Sequence, residues 1–172
     1  MTEQFLPPEA LSPDGYIIDQ GRMSGVRYGR FGSDYNGCGW IAAYNLLSVS
    51  GIDAAPDDVR MDLQALHAPL FSGKLGTNPF KLIRYLRVYF EKVNLIFRKK
   101  TIREAYASCG RLIVGYMYLK PKFGAHYVCV SRYENKADII NDTVTKRASG
   151  IEEYFEQLKK QGCRVMFAIS AS

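Results

Sequence analysis

The sequence is poor in histidine, lacks long apolar runs, and holds no paired cysteine motif; each shortage narrows what the chain can be. No stretch approaches the about 18 consecutive apolar residues of a membrane-spanning helix. The opening MTEQFLPPEALSPDGYIIDQ has no basic region followed by an apolar one, so no signal peptide is expected and the expected location is cytoplasmic. The four cysteines, Cys38, Cys109, Cys129 and Cys163, lie far apart with no C-x-x-C pair, which argues against a zinc ribbon or a thioredoxin-type motif and leaves them as reduced thiols. Repeats, low-complexity tracts and linkers are also missing. A chain of 172 residues without them is expected to form one domain with its own core: an irregular segment over 1–35 packed on a domain proper over 36–172.

What is present is ordinary for a soluble globular protein, with 47% hydrophobic and 23% charged residues, so neither a disordered nor a membrane chain is expected. The net charge of +6 is dispersed. Its densest cluster, Arg98, Lys99 and Lys100 next to Arg103, comes with neither a recognition helix nor an aromatic stacking platform. It reads as a solvated corner, and no nucleic-acid partner is expected.

Periodicity divides the chain into a helical first half and a sheet-forming second half. Cys38 to Leu47 is apolar almost all round and closed by Ser50-Gly51, as a buried central helix should be. Pro56 stands at a first helical position for Asp57 to Leu66, and Asn78-Pro79 does the same for Phe80 to Phe90, where Leu82, Ile83, Leu86 and Phe90 share a face. Val93 to Phe97 alternates in part, and Thr101 is expected to cap a short helix through Cys109. Arg111 to Tyr118, Ala125 to Tyr133, Ala137 to Asn141 and Cys163 to Ile169 read as strands, with an amphipathic helix over Ile151 to Gln161. The expected class is α+β: helices packed on a mostly antiparallel sheet in a two-lobed arrangement.

A thiol becomes a nucleophile when a helix N-terminus or an imidazolium stabilises its thiolate. Cys38 follows Asn36-Gly37 and opens the apolar helix, so the positive end of the helix dipole faces its sulfur. A buried structural cysteine at a tight turn would look the same. Of the two histidines, His67 ends a helix at Leu66-His67-Ala68-Pro69 and reads as a C-capping or exposed residue. His126 opens an otherwise apolar strand after the loop Pro121-Lys122-Phe123-Gly124, a place from which a strand presents an imidazole at a cleft rim. A satisfied strand-end residue is the plainer alternative. The third group, needed to orient the ring, is sought at the end of the next strand, where Asp142 or the amide of Asn141 could return beside His126; the pair could also simply make a turn.

Taken in order, N-G-C-G at the start of a small-residue-rich helix, the strand G-A-H-Y-V-C-V and the strand end I-N-D resemble the papain-like bacteriocin-processing peptidases, which cut double-glycine leader peptides. The similarity runs over about residues 36 to 170. It implies a papain-like cysteine peptidase with Cys38 as nucleophile, His126 as general base and acid, and Asp142 as orienting carboxylate. The implied partner is a peptide or protein substrate, and no metal or cofactor is required. Two positions depart from the family pattern. Gly32 lies near the place of a glutamine that helps bind the oxyanion, and Thr143 replaces a proline after the aspartate. Asn36 and Gln20 are the candidate side chains for the missing oxyanion donor. Trp40, Phe123 and Tyr127 are candidates for the substrate cleft. A peptidase-like module that binds peptides without cutting them is the rival expectation.

Overall fold

The computed structural model describes residues 6–119, 123–142 and 146–172. Pro121, Lys122 and Thr143 lie outside the described residues. The segment before Cys38 is irregular but tightly held. It carries 3-10 turns at Pro8–Ala10 and Gln20–Arg22, a small hairpin of β1 (Arg27–Tyr28) and β2 (Phe31–Gly32), and a one-turn helix, α1 (Ser33–Asn36). Ile17, Met23 and Tyr28 from this segment are fully buried in the core. The side chain of Asn45 fixes it in place, accepting from Ile17 N–H at 2.9 Å and donating to Ile17 O at 2.8 Å, so both backbone groups of a buried residue are satisfied by one amide.

Three helices follow. The first, α2 (Cys38–Val49), is apolar on every side because it is enclosed on every side, and Gly51, at φ 71°, turns the chain out of it. The second, α3 (Pro56–Ala65), has proline at its first position and Asp57 and Asp58 in the first turn, where the helix dipole favours negative charge. The third, α4 (Pro79–Leu86), is capped by Asn78, whose side chain accepts from Phe80 N–H at 2.9 Å. It stops four residues earlier than the periodicity suggests, and the chain continues in turn-type bonds such as Val88 N–H to Tyr85 O, which still deliver Phe90 to the core.

The second half forms a six-stranded sheet from β3 (Val93–Ile96), β4 (Arg111–Tyr118), β5 (Gly124–Tyr133), β6 (Lys136–Ile140), β7 (Arg147–Ala148) and β8 (Cys163–Ala171). The order is β3-β8-β4-β5-β6-β7, and every pairing is antiparallel. The closing strand is thus inserted between the first strand of the sheet and β4. The turn between β5 and β6 places Glu134 and Asn135 at φ 46° and 64°, the left-handed pair that a two-residue hairpin requires. Helix α5 (Lys99–Cys109) begins two residues before Thr101, which is therefore inside the first turn and not its cap; Arg98 is the extended residue at the boundary. Helix α6 (Ile151–Lys160) carries Glu152 and Glu153 in its first turn and Lys159 and Lys160 in its last, matching the dipole at both ends.

Strand alternation sends Ile113, Tyr127, Cys129 and Ile169 toward α2, and Leu112, Val114, Val128, Val130 and Ala168 toward α5 and α6. The protein is α+β, with one helical layer on each side of the six-stranded antiparallel sheet. Among the described residues no helix is long and apolar enough to cross a membrane.

Candidate active site

Two elements meet at the site: the N-terminus of α2 and the first residues of β5. Helix α1 ends at Asn36, Gly37 N–H bonds Ser33 O at 2.8 Å, and α2 starts afresh at Cys38 with no side chain capping it. The first-turn N–H groups, that of Cys38 included, are therefore of the kind a helix leaves without an intrahelical acceptor. Gly37 and Gly39 are set by packing of the protein on itself. A Cβ at Gly37 would press on Ser33 at 2.6 Å, and one at Gly39 would collide with the side chain of Thr77. Cys38 is 4% exposed at the seam this creates.

His126 lies opposite Tyr116 in the β4–β5 ladder, with the two rings edge to face at 5.6 Å. Its Nε2 is 2.7 Å from the carbonyl oxygen of Asn141. A carbonyl oxygen can only accept, so Nε2 carries the proton and the tautomer is fixed. Nδ1 remains for the Cys38 side chain. Burial of the ring opposes its charged form. A hydrogen bond to Cys38, the charge on Cys38, the Asn141 carbonyl and the charge of Asp142 act the other way and prevail, raising the His126 pKa above the ordinary 6.5. The phenols of Tyr28, Tyr116, Tyr118 and Tyr127 surround this pair. Burial is the main cause that raises each of their pKa values, and the charge on Cys38 adds to it in every case. These hydroxyls keep their protons.

The acceptor for His126 is a main-chain group, one residue before the carboxylate that the strand end was expected to supply. Asn141 sits at φ 67°, a left-handed turn that asparagine tolerates better than most side chains, and this turn aims its carbonyl at the ring. The Asp142 carboxylate is buried and its Oδ2 accepts from Tyr154 O–H at 2.8 Å. It contributes charge to His126 from that anchored position.

The other expected site residues divide. Asn36 is buried, and its Nδ2 donates to Tyr28 O at 2.7 Å and to Gly73 O at 3.1 Å. Both amide protons are used, so Asn36 has none left for an oxyanion and serves to hold the loop between α3 and α4. Gln20 donates from Nε2 to Asp34 O at 3.0 Å and accepts at Oε1 from Asn141 Nδ2 at 3.3 Å, which places it beside the histidine's acceptor with one of its two amide protons used in these bonds. Trp40 is fully buried, with Nε1 donating to Ser33 Oγ at 3.0 Å, so it is core and not cleft. Tyr127 is likewise interior: its hydroxyl donates to Thr77 O at 2.7 Å and its ring packs on Phe167. Strand alternation explains this, because Tyr127 must point to the side opposite His126. Phe123, by contrast, is 69% exposed at the mouth of β5. His67 is exposed at φ 53° just past α3, as a helix-ending residue. Thr77, Tyr28 and Tyr154 carry the site from below, and neither spacing nor motif marks them in the sequence. Among the described residues no group of three or more His, Cys, Asp or Glu side chains is arranged to hold a metal ion.

No protein-family model and no curated protein sequence matches the chain. Among solved structures the chain is similar to the peptidase domain of Streptococcus ComA, described as a bi-functional ABC transporter involved in a quorum-sensing pathway. Identity is 17%, 76% of this chain and 90% of that one are covered, and the TM-score is 0.47.

Proposed function

We propose that this protein is a thiol-dependent acyl hydrolase acting on a peptide or amide bond, a cysteine peptidase with Cys38 as nucleophile and His126 as base and acid. The observation that carries the reading is the fixed histidine tautomer: Nε2 is tied to the Asn141 carbonyl, and the remaining ring nitrogen is left to a cysteine at an uncapped helix start. The order of the N-G-C-G, G-A-H-Y and I-N-D segments supports the same reading and suggests a peptide or protein substrate of bacterial processing systems.

In the proposed reaction the Cys38 proton passes to Nδ1 and the sulfur attacks the substrate carbonyl carbon. The oxyanion so formed is met by the Cys38 N–H and the first-turn amides of α2. The C–N bond then breaks as the imidazolium returns its proton to the leaving amine, leaving a thioester on Cys38. A water molecule, deprotonated by His126, releases the acid and restores the thiol. The orienting role falls to the Asn141 carbonyl, with Asp142 adding negative charge behind it. No metal or cofactor takes part.

A second reading, a peptidase-like module that binds a peptide without cutting it, draws on one observation. The Asn36 amide is spent on backbone carbonyls, and Gly32 has no side chain where the family places a glutamine, so neither position supplies a side-chain donor to the oxyanion. Loss of one such donor lowers rates by about 100- to 1000-fold. A peptidyl chloromethyl ketone separates the two. The peptidase reading predicts a single covalent adduct on Cys38 that forms slowly or not at all in His126→Ala, together with cleavage of quenched fluorescent peptides that Cys38→Ser abolishes. Tight peptide binding with neither adduct nor cleavage would favour the binding module.

A further inference from the structure

Gln20 bridges the two elements that bring the reactive side chains together. Its Nε2 donates to Asp34 O at 3.0 Å, in the short helix that leads into Cys38. Its Oε1 accepts from Asn141 Nδ2 at 3.3 Å, and its backbone N–H donates to Asn141 Oδ1 at 3.0 Å. The carbonyl of that same Asn141 holds His126. One side chain thus links the nucleophile's approach to the acceptor that orients the base. Its own footing is firm. Asp19 accepts from Gly21 N–H at 2.9 Å to close the turn, and three residues earlier Ile17 is clasped by Asn45 of α2, the helix that Cys38 begins.

The chemistry at this position is demanding. Asp34 O accepts and Asn141 Nδ2 donates at this position, and the Gln20 amide offers one matching group to each. A glutamate of the same length would set a carboxylate against the Asp34 carbonyl, and alanine would remove both arms. The Asn141 turn also needs support, since its carbonyl points at the ring only while φ stays near 67°. Clamped at both Oδ1 and Nδ2, the Asn141 amide resists rotation of that turn.

We infer that Gln20 is a positioning residue that fixes His126 relative to Cys38 through Asn141, so that the irregular segment ahead of the nucleophile is a working part of the site. The inference rests on the Cys38–His126 reading above. In full-length protein, Gln20→Ala and Asn141→Gly, the latter keeping the carbonyl and the left-handed turn, are each expected to slow iodoacetamide alkylation of Cys38 at pH 6 roughly ten- to hundredfold. The double variant is expected to fall no further than the worse single one, because both break one linkage. The 15N shifts of the His126 ring above its pKa are expected to report pure Nε2–H tautomer in the wild type and a mixture in Gln20→Ala. Melting curves monitor folding; if Gln20→Ala melts early, Gln20→Glu, equal in size, carries the test.

Wild-type tautomer and wild-type alkylation profile in a folded Gln20 variant would overturn the inference, as would losses that multiply in the double variant. Should the wild type itself show no His126-dependent alkylation, the peptidase reading falls on its own. The ring tautomer then still decides for Gln20: a mixture in the variant upholds the strut, and an unchanged tautomer removes it.

Discussion

On the side of the sheet covered by α5 and α6, amphipathic helices lay Ile102, Ile151, Phe155 and Leu158 against Leu112, Val114, Val128 and Val130. On the side covered by α2, the apolar core is interleaved with buried Ser33, Asn36, Asn45 and Thr77, each holding a backbone or side-chain partner. The loop between α3 and α4, which packs there, contains Phe71 and Ser72 at φ 48° and 59°, conformations that disfavour such side chains. Buried polar groups and strained turns are stable only where their surroundings over-determine them. One side supplies stability by plain packing. The other spends some of that stability on placing the start of α2, where Cys38 stands.

Several substitutions sharpen the contrast. Trp40→Ala should be the most damaging to stability, by about 3–5 kcal/mol in chemical denaturation, because it empties a fully buried indole site and strands the Ser33 hydroxyl. A loss below about 1 kcal/mol would show that the α2 side is loosely packed. Gly39→Ala drives a methyl group into Thr77, for an expected loss of about 1–3 kcal/mol, and it should also loosen the Tyr127–Thr77 bond at the floor of the site. Tyr154→Phe removes one hydrogen bond to the buried Asp142 carboxylate, at about 1–3 kcal/mol, and tests whether the two sides meet at that residue.

A smaller effect follows from the raised pKa of His126. A folded-state value above the unfolded one means that folding favours the protonated ring. The contribution is complete below about 6.5 and is lost as the pH rises through the raised value. The fall in Tm caused by His126→Gln should therefore be larger at pH 6 than at pH 9. A difference that grows with pH would assign the wrong sign to the surroundings of the ring.

The sequence discloses most of the architecture where local rules and tertiary demands agree. Pro56, Asn78-Pro79 and Ser50-Gly51 mark helix ends that the structure keeps, and the apolar runs in Arg111 to Tyr118 and Ala125 to Tyr133 form the centre of the sheet. The strand order is not readable, because nothing local tells β8 to enter between β3 and β4. At the site, residue types point to Cys38 and His126, but the hydrogen-bond partner of His126 Nε2 is a backbone carbonyl, which no side-chain pattern can announce. The one available sign is asparagine at 141, a residue that accepts a left-handed turn. Trp40 and Tyr127 mislead for a common reason: proximity in sequence to a reactive residue says nothing about which way a helix or strand turns its neighbours.

The central claim is that Cys38 and His126 act as a pair. The most direct measurement is the alkylation rate of each cysteine in the native protein across pH, read by peptide mass mapping, in the wild type and in His126→Ala. Cys129 is an internal control, since complete burial pushes its thiol up to about 12 and should keep it unlabelled. The account predicts that Cys38 labels rapidly at pH 6, where an ordinary thiol of pKa about 8.5 is almost wholly protonated, and that His126→Ala removes this reactivity. Slow labelling of Cys38 that follows an ordinary thiol and is untouched by the histidine substitution would contradict it.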